Sequence, residues 1–174
     1  IPAGAFRPRM NIERRSLLKG AADARGIVVV IDVLRAFSCS ALMFHYGVRD
    51  LVLVKTPEEA LAFRDGDPDY LVAGEVKGVT VEGFDLGNSP ADIVAKGERF
   101  FRHRRVAVRS SAGTQGVLAA AVHADQVILG SFMTASAIAT YVQAPARASA
   151  PSSSRDVRSG DGSGTRVAEG YQVV

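Results

Sequence analysis

The chain has 174 residues, 47% of them hydrophobic and 22% charged, with a net charge of +3. This is ordinary globular usage, which excludes wholesale disorder, and one cysteine, Cys39, excludes an internal disulfide or a multi-cysteine zinc site. The longest apolar run, Ile27 to Ile31, is strand-sized and far short of a membrane span.

The elements follow one another regularly. Asn11 to Ala24 is compatible with a helix. Ile27-Val28-Val29-Val30-Ile31 reads as a strand buried on both faces. A helix from Ala36 to Tyr46 follows and ends at Gly47, expected as a left-handed cap. Leu51 to Val54 is the next strand. Thr56-Pro57-Glu58-Glu59 opens a helix with an N-cap, an N1 proline and a capping-box glutamate.

Tyr70 to Ala73 is the third strand. Gly74 to Asn88 is glycine-rich and reads as a long loop, with a short extended pair around Val79-Val81. Ser89-Pro90 starts a helix, Val106 to Val108 is a strand, and Gly113 to His123 is a helix. Gln126 to Leu129 and Met133 to Tyr141 complete the pattern. This alternation implies an α/β domain over residues 26–143: a mostly parallel sheet in a three-layer α/β/α arrangement. Residues 1–25 have little definition, and 144–174 read as a low-complexity, disordered tail. The start of the chain lacks the charged-then-apolar order of a signal peptide, and a reduced, cytoplasmic protein is expected.

Ligands of open α/β sheets bind beyond the carboxyl ends of the strands. Asp32 closes the first strand, with Arg35 one turn on and Ser38 expected to open a helix that favours anions. Glu75 and Asp85 follow the third strand, and with Asp32 they supply hard oxygen ligands suited to Mg²⁺. Asn88 and Ser89 precede a helix start. Arg109-Ser110-Ser111-Ala112-Gly113-Thr114 leads into another, with hydroxyls and N–H groups fit for a phosphate or sulfonate. The sequence lacks a P-loop, and Arg102 to Arg105 lacks the aromatic platforms of single-strand binding, so no nucleic acid is expected as a partner.

Taken together, Val30-Ile31-Asp32-Val33-Leu34-Arg35-Ala36, Gly83-Phe84-Asp85-Leu86-Gly87-Asn88-Ser89-Pro90 and Arg109-Ser110-Ser111-Ala112-Gly113-Thr114-Gln115-Gly116 resemble the signatures of the 2-phosphosulfolactate phosphatase family. Gly130-Ser131-Phe132 with Ala135-Ser136-Ala137 fits the family's next strand-to-helix turn. The resemblance runs from about residue 26 to 142. It implies a Mg²⁺-dependent phosphatase that hydrolyses 2-phosphosulfolactate to 3-sulfolactate and phosphate, a step of coenzyme M synthesis.

On that reading Asp32, Asp85 and Glu75 hold the metal, and Asp32, Arg35 and Asp85 carry catalysis. Ser38, Asn88, Ser89, Arg109, Ser110, Ser111, Gly113 and Thr114 bind the substrate. Asp32 as covalent nucleophile and Asp32 as metal ligand both remain open. The chain departs from the family beyond residue 142, where a strand and a helix with a Glu-Asp pair are replaced by Ser/Gly/Arg-rich sequence. An exposed edge and homodimerisation are expected from that loss. The alternatives are a catalytically impaired relative that keeps the anion pocket, or a phosphatase on another acidic phosphomonoester.

Overall fold

Alternating apolar strands and short helices give the order α1 (Leu17–Ala22), β1 (Gly26–Ile31), α2 (Ala36–His45), β2 (Asp50–Leu53), α3 (Pro57–Gly66), β3 (Tyr70–Val76) and β4 (Val79–Thr80). The order continues α4 (Pro90–Phe101), β5 (Arg105–Arg109), α5 (Gly113–Ala120), β6 (Ala124–Gly130), α6 (Ala135–Gln143) and β7 (Tyr171–Val173) in a computed structural model. The structure describes residues 10–143 and the backbone of Tyr171–Val173. Expectations for the first nine residues, and for the tail up to residue 170, lie outside the described residues.

Strand order in the main sheet is β4-β3-β5-β2-β7. β2 and β3 both run parallel to the central β5, while β4 and β7 close the edges antiparallel. The α/β class and the mainly parallel pairing are as expected from the sequence. Side chains alternate across the sheet, so its two faces carry different cores. Leu51, Leu53, Leu71, Val106 and Val108 pack with Phe37 and Met43 of α2, Ile93 and Phe101 of α4 and Val117 of α5. Val52, Val72 and Ala107 pack on the other face with Ala60 and Phe63 of α3. Helices therefore cover both faces, the three-layer arrangement.

Two expectations need correction. Tyr171–Val173, expected to be disordered, pairs antiparallel with β2. β1 was expected to be buried on both faces of one sheet, yet it pairs in parallel with β6 in a separate two-stranded sheet. Ile31 is 72% exposed and Ile27 47%. Among the described residues no strand lies on the other edge of β1. A continuous β-branched run identifies a strand, but it does not say whether its second face is covered. Phe132 is also 82% exposed.

Local signals otherwise act as the sequence indicates. Thr56 Oγ1 accepts from Glu59 N at 3.2 Å, and Glu59 accepts from the backbone N–H groups of Lys55 and Thr56, completing the capping box of α3. Gly47 adopts φ +85° just past the end of α2. Cys39 is buried, and burial pushes its thiol up to about 12. A thiol reagent at pH 8 is therefore expected to leave Cys39 unlabelled until denaturant is added; rapid labelling of the native chain would contradict this placement. Among the described residues no helix is long and apolar enough to cross a membrane.

Candidate anion-binding active site

The β1–α2 junction, the β3–β4 turn and the β5–α5 loop meet at a cavity of about 290 Å³. Its lining includes Asp32, Leu34, Arg35, Glu75, Lys77, Gly78, Asn88, Ser111 and Ala112. Five of the residues singled out in the sequence (Asp32, Arg35, Glu75, Asn88 and Ser111) are thus brought together at the carboxyl ends of β1, β3 and β5.

Asp32 stands where two helices begin. Backbone N–H groups of Ala36 in α2 and Gly113 in α5 donate to its carboxylate. A Cβ on Gly113 would lie 2.7 Å from Asp32 Oδ2, so only glycine admits this approach. Burial nevertheless raises the Asp32 carboxyl above its ordinary range; the two N–H groups oppose the shift and the charge of Glu75 adds to it. The Leu34–Arg35 peptide beside it is cis. The Arg35 side chain is exposed and makes no hydrogen bond or ion pair among the described residues.

Glu75 is buried, at 7% exposure. Its Oε1 accepts from Ser111 N at 2.6 Å, and its Oε2 accepts from Gly78 N at 2.5 Å and Ser111 Oγ at 3.0 Å. Burial works to raise its carboxyl, but these donors, with Arg109, outweigh it and hold the group below the ordinary range. Glu75 is ionised and already well supplied with donors.

Several other expected site residues bond to the protein's own groups. Asp85 Oδ2 accepts from Val72 N at 2.8 Å and faces Arg64 at 3.7 Å, and the residue is not part of the cavity lining. Arg109 spends its guanidinium on the Glu75 carbonyl at 2.6 Å, Ser111 Oγ at 3.1 Å and the Lys55 carbonyl at 3.3 Å. Ser110 and Thr114 are fully buried and bond each other: Thr114 N donates to Ser110 Oγ and Ser110 N to Thr114 Oγ1, both at 2.9 Å. Ser38 does not open α2, which begins at Ala36; its hydroxyl donates to the Val33 carbonyl at 2.8 Å. Ser89 caps α4 by accepting from Asp92 N at 3.3 Å.

The three carboxylates expected around a metal are therefore not assembled, and no three His, Cys, Asp or Glu side chains converge among the described residues. Asp85→Asn is accordingly expected to cost about 1 kcal/mol of stability through its bond to Val72. Denaturant unfolding of the variant checks this; parental stability would contradict the bond to Val72.

The reading of the sequence missed Lys77. It occupies the first central position of the two-residue β3–β4 turn, with φ +52°, followed by Gly78 at φ +83°. Two successive positive φ values are those of a type I′ hairpin, and Lys-Gly between Val76 and Val79 was the available signal. The Lys77 ammonium has no hydrogen-bond or ion-pair partner among the described residues.

The site thus offers a raised carboxyl, two cations without a partner among the described residues, and a carboxamide. That set suits a small acidic ligand. A family model described as 2-phosphosulpholactate phosphatase matches residues 13–149. The chain is 39% identical over 120 residues to a probable 2-phosphosulfolactate phosphatase of Deinococcus radiodurans, covering 69% of this chain and 49% of that protein. It is 34% identical over 117 residues to one of Bacillus subtilis, covering 67% and 50%. For one of Thermus thermophilus the identity is 36% over 113 residues, covering 65% and 46%. The chain spans about half the length of the curated relatives it matches.

Proposed function

Since the chain belongs to the 2-phosphosulpholactate phosphatase family, we propose that its cavity binds a small acidic phosphomonoester, 2-phosphosulfolactate, and releases phosphate and 3-sulfolactate. The observation that carries this reading is the convergence of Asp32, Arg35 and Lys77 on one cavity. A phosphomonoester dianion needs cations that are not already paired, and these two have no partner among the described residues.

Magnesium fits the donor set in a restricted way. The ion takes one or two carboxylates, with water and substrate oxygens filling the rest of its octahedron. Asp32 meets that demand; Glu75 is occupied by three donors. Asp32 is the residue that would hold Mg²⁺, which when bound supplies Lewis acidity at the phosphoryl oxygens and a more acidic water.

The chain's own groups do the rest. Ala36 and Gly113 N–H fix the Asp32 carboxylate before substrate arrives. Arg35, three residues beyond Asp32, neutralises phosphoryl oxygens together with Lys77, and the Asn88 carboxamide orients them by hydrogen bonds. The exposed Ile27, Ile31 and Phe132 favour pairing of two copies, which sedimentation would detect.

The test is phosphate release from 2-phosphosulfolactate by the full chain, with Mg²⁺ and with a chelator. Metal-dependent release is expected. A folded chain that binds inorganic phosphate yet releases none would reduce the function to anion binding.

A further inference from the structure

The Glu75 carboxylate accepts three hydrogen bonds at the cavity wall, and all of them join two elements that the backbone ladder does not hold at this point. Gly78 N belongs to the β3–β4 turn, while Ser111 N and Oγ belong to the β5–α5 loop. Ser111 Oγ in turn accepts from Lys77 N at 2.8 Å. The turn carrying Lys77 is thus tied to the loop through one buried carboxylate and one hydroxyl.

The rest of the turn is weakly held. β4 has two residues, both exposed, and pairs only with Glu75 and Val76. An isolated two-residue ladder is marginal in water. The remaining neighbour, Arg109, donates to the Glu75 carbonyl and to Ser111 Oγ and so braces the same junction from behind. Without the Glu75 carboxylate, the N–H groups of Gly78 and Ser111 lose their partner together.

We propose that Glu75 is a positioning residue: its carboxylate clamps the β3–β4 turn to the Ser111 loop and thereby presents the Lys77 ammonium to the cavity. It acts on the ligand through Lys77 and does not ligate the metal. The inference rests on the anion-cavity reading above. Gln cannot replace Glu here, because both oxygens accept from backbone N–H groups and an amide presents one NH₂ to them.

The test is a double-mutant cycle on inorganic phosphate affinity, measured by calorimetry on the full chain. Lys77→Ala is expected to weaken phosphate binding about tenfold. Glu75→Gln should weaken it to a similar degree, and the double variant should be no more than about twofold worse than Lys77→Ala alone. Losses that multiply to about a hundredfold would overturn the proposal, as would an unchanged affinity in Lys77→Ala. Magnesium affinity of Glu75→Gln should match the parent within about twofold; a tenfold loss would make Glu75 a ligand.

Should Glu75→Gln fail to fold, Ser111→Ala tests the same link while keeping both backbone N–H bonds to Glu75. It should lose about threefold alone and nothing further in the Lys77→Ala background; an equal loss in both backgrounds would overturn the clamp. A parent chain that binds no phosphate would overturn the cavity reading itself, whereas phosphate binding without coupling overturns the clamp alone.

Discussion

Asp32→Asn is expected to lower phosphate release by about 10³-fold, the scale seen when a preorganised charged group is removed from the reacting centre. The same change acts on stability in a pH-dependent direction. Burial, aided by Glu75 and opposed by the Ala36 and Gly113 N–H groups, raises the folded-state Asp32 carboxyl above its unfolded value. A raised carboxyl contributes stability below the unfolded pKa and loses that contribution as pH rises through the folded pKa. Asparagine does not titrate. Thermal melts should therefore shift in favour of Asp32→Asn as pH climbs through the folded pKa, relative to the difference in acid. A variant keeping a tenth of parental release would remove Asp32 from the reaction, and a gap constant with pH would remove the burial cost.

Gly74→Ala should be the most damaging alanine substitution among the described glycines. Gly74 pairs with Arg109 in the β3–β5 ladder at φ +137°, and a Cβ there would run into the Arg109 carbonyl group. The obstacle is backbone, so no rotamer change relieves it. A loss of about 3 kcal/mol or more is expected in denaturant unfolding, accompanied by weaker phosphate binding, because Glu75 is the next residue. Parental stability in Gly74→Ala would mean that the two strands do not approach this closely.

Much of the fold was legible because the signals are local. The capping box at Thr56, the serine cap with N1 proline at Ser89 and the apolar strands each decide their own backbone. What sequence order could not decide was pairing. The run Ile27 to Ile31 is the same whether β1 joins the main sheet or leaves it for β6, because both give it a partner ladder.

The site was legible at a coarser level. Strand ends located Asp32, Glu75 and Ser111 at the cavity, since topology alone puts them on one edge. Residue type alone did not show where each polar group is spent. Asp85, Arg109, Ser110 and Thr114 have the chemistry of a binding site but spend it on Val72, Glu75, Lys55 and each other. A polar loop that must hold its own backbone in place looks, in sequence, like one that holds a ligand. Lys77 was hidden for the opposite reason: a lysine in a turn is commonplace, and only two positive φ values fix its place beside the cavity.

The separation of β1 and β6 from the main sheet bears on how the cavity works mechanically. Asp32 and Arg35 follow β1, whereas Lys77 and Ser111 are borne by the five-stranded sheet. Among the described residues no backbone ladder spans the two groups; Asp32 reaches the other side through the amide of Gly113, and Val30 packs toward Gly116. Ladders resist sliding, while a side-chain seam yields to small shear. The spacing between the wall of Asp32 and Arg35 and the wall of Glu75 and Lys77 is thus a compliant coordinate, set by the seam along α5. A side chain at Gly116, where a Cβ would stand 3.1 Å from Val30 Cγ1, would act as a wedge and alter phosphate affinity without touching a group that lines the cavity.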